Sequence, residues 1–309
     1  MLHIAYSEYY HHILPLGHRF PMSKYPFIVQ QLLREGTIEE GNLFEPEIGP
    51  FEYIEWTHSS DYIEKLRSNS LTKLEQRKIG FPYSTRLLER EINIMNGTIQ
   101  AALKALQHGI SFNIAGGTHH AYRDRGEGFC IFNDIAIAAN YLLRMNLVKR
   151  VLVIDLDVHQ GNGTASIFAN DERVFTFSMH GEKNYPFKKE QSDLDIGLPN
   201  YTEDREYLDY LVQALDRIIP MSKPDFIFYQ SGVDILATDK LGKMSVSREG
   251  CKKRDRMVLQ AAFDNDIPLT AVMGGGYSPE INDIVEAHCN TYRLAQQLFF
   301  NKGVLSVAE

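Results

Sequence analysis

Two short stretches of this chain carry residues that can bind a metal or move a proton. Val151-Leu-Val-Ile-Asp-Leu-Asp-Val-His-Gln-Gly-Asn-Gly-Thr164 is an apolar run that ends in Asp155, Asp157 and His159. Residues two apart on an extended chain face the same side, so this spacing predicts that the three side chains converge at a strand end. Carboxylate and imidazole together suit zinc or another first-row divalent ion. By spacing alone Asp155 is as plausible a ligand as Asp157, and either acid could instead cap a following helix. Phe226-Ile-Phe-Tyr-Gln-Ser-Gly-Val-Asp234 is a second apolar run, followed by a turn and an acid. Asp234 alone reads equally well as a loop acid. Joined to the first segment, it supplies a third protein ligand and leaves a fourth position for water, as catalytic zinc requires.

Three further segments offer partners for such a site. Asn113-Ile-Ala-Gly-Gly-Thr-His-His-Ala121 ends a strand with His119 and His120. These could be extra ligands, general bases or packed loop histidines. In Arg125-Gly-Glu-Gly-Phe-Cys-Ile-Phe-Asn-Asp134, glycines flank Phe129, which could line a narrow tunnel or sit in the core. Met273-Gly-Gly-Gly-Tyr277 lets backbone approach a ligand closely, and the Tyr277 hydroxyl could donate to a developing oxyanion. A glycine-rich turn before a helix can also bind phosphate, but neither GxxxxGK[ST] nor GxGxxG is present.

The elements that must position these residues read as alternating strands and helices. Apolar runs lie at Leu2 to Tyr6, Phe112 to Ala115, Val151 to Ile154, Val174 to Ser178, Phe226 to Gln230 and Leu269 to Met273. Most lack period-two alternation, as expected of strands buried on both faces. Helical spacing runs over Thr85 to Gln107, Asn133 to Arg144, Tyr207 to Ile219, Ser247 to Asn265 and Pro279 to Phe300, with Asn133 or Asp134 as an N-cap. Glu35 to Glu52 and Ser68 to Ser84 read as long loops. The predicted fold class is α/β, with a mainly parallel central sheet and helices on both faces. In such sheets sites form beyond the carboxyl ends of the strands, where the chemical residues fall.

Of the 309 residues, 44% are hydrophobic and 23% charged, ordinary values for a chain with a sizeable core. No linker or repeat divides it, so residues 1–309 are expected to form a single catalytic domain. A net charge of -8 argues against direct nucleic-acid binding. Three scattered cysteines, with no CxxC pair, suit a reducing compartment. The first residues lack the pattern of a signal peptide, and no apolar stretch is long enough to span a membrane. A cytoplasmic protein is expected.

Taken in order, GGTHHA, GFCIFND, DLDVHQGNGT, SGVDIL and GGGY resemble the histone deacetylase superfamily, with its arginase-like α/β fold. The similarity runs from about His18 to Tyr277. Asp239-Lys-Leu-Gly-Lys-Met-Ser-Val-Ser looks like the class IV, histone deacetylase 11-like branch. The resemblance implies Asp157, His159 and Asp234 as ligands of one catalytic zinc ion. It implies catalytic roles for His119, His120 and Tyr277, with Asp155 and Asn162 orienting the two histidines. Gly128, Phe129, Tyr185 and Gly275 would line the substrate channel. Asp155, Asp157, His159, Ser178 and Met179 would surround a structural potassium site. Some members pair the second histidine with an aspartate where this chain has Asn162, and an amide cannot stabilise an imidazolium by charge.

The function implied is hydrolysis of acyl-lysine by metal-activated water, on an acyl-lysine protein or an acylated amine, with acetyl or longer fatty-acyl groups removed. Acetylpolyamines and small-molecule amides suit the same core. An arginase-type site with two manganese ions would need more carboxylates around Asp157-Val-His159, where Gln160 and Gly161 follow instead. A non-catalytic acyl-lysine binder would keep the pocket without turnover.

Overall fold

A computed structural model describes residues 1–300 of the chain. Eight strands form one sheet: β1 (His3–Ala5), β2 (Leu43–Phe44), β3 (Ile110–Asn113), β4 (Val151–Asp155), β5 (Val174–Gly181), β6 (Leu194–Leu198), β7 (Phe226–Gln230) and β8 (Leu269–Val272). Their order is β2-β1-β3-β8-β7-β4-β5-β6, and every pairing is parallel. Every residue of β3, β4, β7 and β8 is buried, which is why these runs are continuously apolar rather than alternating.

Ten α-helices connect the strands: α1 (Lys24–Arg34), α2 (Glu52–Glu55), α3 (Ser60–Arg67), α4 (Lys73–Ile79), α5 (Thr85–His108), α6 (Asp134–Arg144), α7 (Asn162–Phe168), α8 (Asp204–Ser222), α9 (Arg248–Asp264) and α10 (Ile281–Ala295). Helix α5 packs on β1, β3 and β8 and against α6. On the other face α8 lies on β4 and β5 and packs against α9, α9 packs against α10, and α10 against α1. The expected α/β architecture with helices on both faces is the one observed.

Several boundaries differ from the sequence reading. The two long loops contain structure: β2 and α2 begin or lie within the first, and α4 within the second. Thr72 caps α4 through a reciprocal bond with Glu75, and Gly80 ends it in the left-handed region at φ 84°. The last helix starts at Ile281, two residues later than expected, and passes into a π-helical turn over Gln296–Phe300. Helices α1, α3 and α7 and strand β6 were not expected at all. Residues 301–309, the end of the expected domain, lie outside the described residues.

Candidate active site

The chemical residues gather beyond the carboxyl ends of β3, β8, β7 and β4, four strands that are adjacent in the sheet. Strand β4 ends at Asp155, so Asp157 and His159 lie in the bend after it rather than on an extended strand. Strand alternation therefore does not set these side chains, and the bend separates the two acids. Asp155 turns toward His119, while Asp157 turns toward His159 and Asp234.

Asp157, His159 and Asp234 are all buried, and one donor atom from each lies within 4.8 Å of the others. His159 Nδ1 is 3.0 Å from Asp157 Oδ1 and 3.1 Å from Asp234 Oδ2. The backbone occupies the other oxygen of each acid: Gly275 N–H donates to Asp157 Oδ2 at 2.7 Å, and Val158 N–H to Asp234 Oδ1 at 2.9 Å. The remaining oxygens, Asp157 Oδ1 and Asp234 Oδ2, face the shared centre beside His159, whose backbone N–H also donates to Asp157 Oδ1 at 3.0 Å. Burial pushes the Asp234 carboxyl up to about 7, and the nearby Asp157 charge adds to it. Burial opposes a charge on His159, but its hydrogen bonds to both acids outweigh this and carry it to about 10. Such a cluster is short of a cation. Two carboxylates and one imidazole fit a catalytic zinc ion with one open position.

The glycines make this approach possible. A Cβ on Gly275 would fall 2.0 Å from Asp234 Oδ2, so no other residue fits there without moving the ligand. Gly275 therefore lies against the carboxylates and the inner cavity, deeper than the channel in which it was expected. Gly128 sits at φ 55°, where a Cβ would meet His120 Cδ2 at 2.6 Å.

The two histidines have different partners. His119 Nδ1 is 2.6 Å from Asp155 Oδ2, whereas His120 Nδ1 is 2.5 Å from Asn162 Oδ1. The rings lie 4.1 Å apart between centroids. Burial disfavours charge on His119, yet the Asp155 carboxylate raises it above the usual imidazole value. Burial, with His119 and His159 nearby, holds His120 well below that value. Asn162 Nδ2 donates to Tyr122 OH at 2.9 Å, so its Oδ1 accepts from His120 Nδ1–H. That hydrogen bond leaves the lone pair of neutral His120 on Nε2.

Side chains from α6 fix the histidine loop. Asn133 caps α6 through Ala136 N–H, while its Nδ2 donates to Ala121 O at 3.2 Å and Thr164 Oγ1 at 3.0 Å. Asp134 accepts from both Thr118 N–H, at 2.8 Å, and Thr118 Oγ1, at 2.6 Å. The next residue after Thr118 is His119.

Tyr277 is held by its backbone, whose N–H donates to Asp239 Oδ2 at 2.6 Å. Its hydroxyl makes no hydrogen bond to another described residue. Burial and the charges of Asp157 and Asp234 push its pKa well above 10, so it remains a donor at neutral pH.

An outer cavity of about 570 Å³ reaches these groups and is lined by Gly128, Phe129, Tyr185, His120, His159 and Tyr277. Phe129, at φ 68°, packs its ring against Phe20, Phe81 and Tyr277. Opposite, Tyr185 lies edge-on to His120 at 5.0 Å and donates to Glu127 Oε2 at 2.6 Å. A much smaller inner cavity of about 30 Å³ continues past the donor cluster, bordered by Gly116, Gly117, Arg90 and Tyr25. Ser178 and Asp155 are register partners in β5 and β4, and Met179 follows Ser178 in the buried strand. The Ser178 hydroxyl lies 2.9 Å from His180 Nδ1.

Two contributors were not read from the sequence. Lys24 is fully buried, and its Nζ donates to Gly274 O at 2.8 Å, next to the Gly275 that holds Asp157. Burial lowers this amine to about 8, with the Asp234 and Asp157 charges opposing the shift. Arg254, also fully buried, donates to Gly232 O at 2.5 Å, Leu156 O at 3.3 Å and Ser231 O at 3.3 Å. It thereby ties together the turns that carry Asp157 and Asp234. Neither residue belongs to a motif, so only their place in amphipathic helices could have flagged them.

Comparisons with known proteins agree with this geometry. A family model described as the histone deacetylase domain matches residues 18–292. An uncharacterized protein of Picosynechococcus sp. is 41% identical over 296 residues, covering 96% of this chain and 99% of that protein. Histone deacetylase 2 of Arabidopsis thaliana is 32% identical over 278 residues, covering 84% of this chain and 70% of that protein. The crystal structure of an HDAC homolog from Aquifex aeolicus superposes with a TM-score of 0.80 at 25% identity, covering 96% of this chain and 83% of that one.

Proposed function

The chain belongs to the histone deacetylase family, and from that premise we propose that it is a zinc-dependent hydrolase releasing acetyl groups from the side-chain amine of lysine. One observation carries this reading. The three buried donor atoms within 4.8 Å of one another lie where the unpartnered Tyr277 hydroxyl and His120 face the same cavity.

Asp157, His159 and Asp234 would hold the metal. When bound, zinc supplies Lewis acidity toward the amide carbonyl and a water acidic enough to attack near neutral pH. His120, with its Nε2 lone pair, accepts the proton of the attacking water. The leaving amine takes its proton from His119, whose positive charge Asp155 stabilises, or from His120, which has just received one from the water. Tyr277 donates its hydroxyl hydrogen to the oxygen that gains charge, a contribution that exists only as that charge develops. Water is consumed, and a carboxylate and a free amine are formed. Phe129 and Tyr185 flank the aliphatic stem of the lysine.

The inner cavity favours a short acyl group. Its volume of about 30 Å³, against about 570 Å³ for the outer cavity, supports a short acyl group over a fatty chain. The segment from Asp239 to Ser247 supports placing the chain in the class IV branch. The juxtaposition of Asp155, Ser178 and Met179 supports a structural potassium ion beneath the catalytic centre. Three cysteines, all free and buried, support a reducing, cytoplasmic setting, and no described helix is long and apolar enough to cross a membrane.

The test is kcat/KM on lysine peptides carrying acetyl, octanoyl and myristoyl groups, with a hydroxamate inhibitor as control. Hydroxamate-sensitive turnover that is greatest for acetyl is expected. A preference for myristoyl would overturn the acyl-length reading, and no turnover of any peptide would overturn the hydrolase reading.

A further inference from the structure

The mouth of the outer cavity carries a charge opposite to that of the chain. The protein has 40 acidic and 32 basic side chains, a net charge of -8. Yet five cations, Arg19, Arg77, Lys78, Lys183 and Lys243, line the opening against a single carboxylate, Glu127. All five cations are exposed. Glu127 is already engaged, by Tyr185 OH at 2.6 Å and by Arg125 Nε at 2.8 Å.

The cations are not spent on the fold. Arg19, Arg77 and Lys78 make no side-chain hydrogen bond or ion pair among the described residues. Lys183 reaches only the exposed Glu182, at 3.8 Å, and Lys243 donates only to the Lys183 backbone oxygen, at 3.3 Å. Like charges gathered around one opening repel each other, and among the described residues only Glu127 and the Glu182 carboxylate beside Lys183 offset that repulsion. A concave site lined by one sign of charge focuses its field outward and raises the local concentration of opposite charge.

We infer that this enzyme selects acyl-lysine embedded in an acidic peptide segment, whose flanking carboxylates sit on the basic rim while the acyl-lysine stem enters the channel. The inference rests on the proposed reading of the cavity as an acyl-lysine hydrolase site. It runs against a basic, histone-like tail and against an acylated polyamine, each of which would bring cations to cations. A nucleic acid also carries negative charge, but the rim is local and the rest of the chain is acidic. A long polyanion would meet repulsion beyond the mouth, whereas a few carboxylates beside one lysine would not.

The test compares acetyl-lysine peptides of equal length with Asp/Glu, neutral or Lys/Arg flanks, by turnover and by fluorescence anisotropy of binding. An exposed ion pair is worth roughly 1.5- to 5-fold, so two or three should favour the acidic peptide by on the order of tenfold in kcat/KM. The preference should collapse near 1 M salt, where the screening length falls to about 3 Å. The charge reversal R77E/K78E should erase or invert it. The neutral variant R19Q/K243Q, which leaves the end of α4 untouched, should reduce it. Equal or opposite preference in the wild type would overturn the inference, as would an oligonucleotide that competes more strongly than the acidic peptide. If no peptide is hydrolysed, the hydrolase reading fails, and the order of the binding constants still decides the question of the rim.

Discussion

His120 Nδ1 lies 2.5 Å from the side-chain oxygen of Asn162, an amide in the place where a carboxylate would charge the ring. The neighbouring His119 has such a carboxylate, Asp155, at 2.6 Å. One histidine is therefore kept neutral and the other favoured as a cation, by partners of similar size and different charge.

Replacing Asn162 by Asp should remove that asymmetry. The new carboxylate would stabilise protonated His120, and a base must be neutral to accept a proton. The acidic limb of the kcat/KM profile should move to higher pH by about one unit or more. An unmoved limb in N162D, with metal content intact, would show that His120 is not the base.

Tyr277→Phe removes one hydroxyl that makes no structural bond. The variant should keep its fold and its metal, and kcat should fall by on the order of 10²–10³-fold, as when an oxyanion donor is lost. Near-normal kcat with zinc content verified would end this role for Tyr277.

Arg254 and Asp255 form a fully buried pair at 2.8 Å, and the same guanidinium holds the carbonyls of the ligand-bearing turns. Arg254→Met would leave Asp255 without its charge partner and free those carbonyls. A stability loss of about 3–5 kcal/mol is expected from urea unfolding. A loss below about 1 kcal/mol would mean that Tyr229 and Thr291, which also donate to Asp255, suffice on their own.

His58 gives a pH dependence of stability. Burial lowers it to about 4, and its Nε2 accepts from Asn133 N–H at 3.0 Å, so it is folded in the neutral form. Between about pH 6.5 and 4 the unfolded chain takes up a proton that the native chain does not. Stability is therefore present above the unfolded pKa and falls as pH drops through this window, by up to about 3 kcal/mol. Urea unfolding of the wild type and His58→Gln at pH 7 and pH 4.5 isolates this contribution. A difference between the two proteins that does not change with pH would contradict it.

Much of the site was legible because its residues follow buried parallel strands, where a continuous apolar run announces the element and its end announces the chemistry. Periodicity could not choose between Asp155 and Asp157, because the choice is made by a bend after β4. Helix α7 escaped because it opens on Asn162 and Gly163, poor helix formers that the turn and its tertiary contacts override. Helix α1 carries Pro26 in its first turn, which is tolerated there but reads as a break. Strand β6 is short and partly exposed at the sheet edge, so it lacks the continuous apolar run of the central strands. The basic rim was hidden for a different reason. Arg19, Arg77, Lys78, Lys183 and Lys243 come from four separated segments, and total charge averages them away.

The central claim is that Asp157, His159 and Asp234 hold one catalytic metal ion, and elemental analysis of the purified protein tests it most directly. About one zinc per chain is expected in the wild type, and a marked loss in Asp234→Asn, because an amide is a weaker ligand and Asp234 supplies one of three protein donors. Full zinc occupancy in the variant, or two metal ions per wild-type chain, would contradict the account.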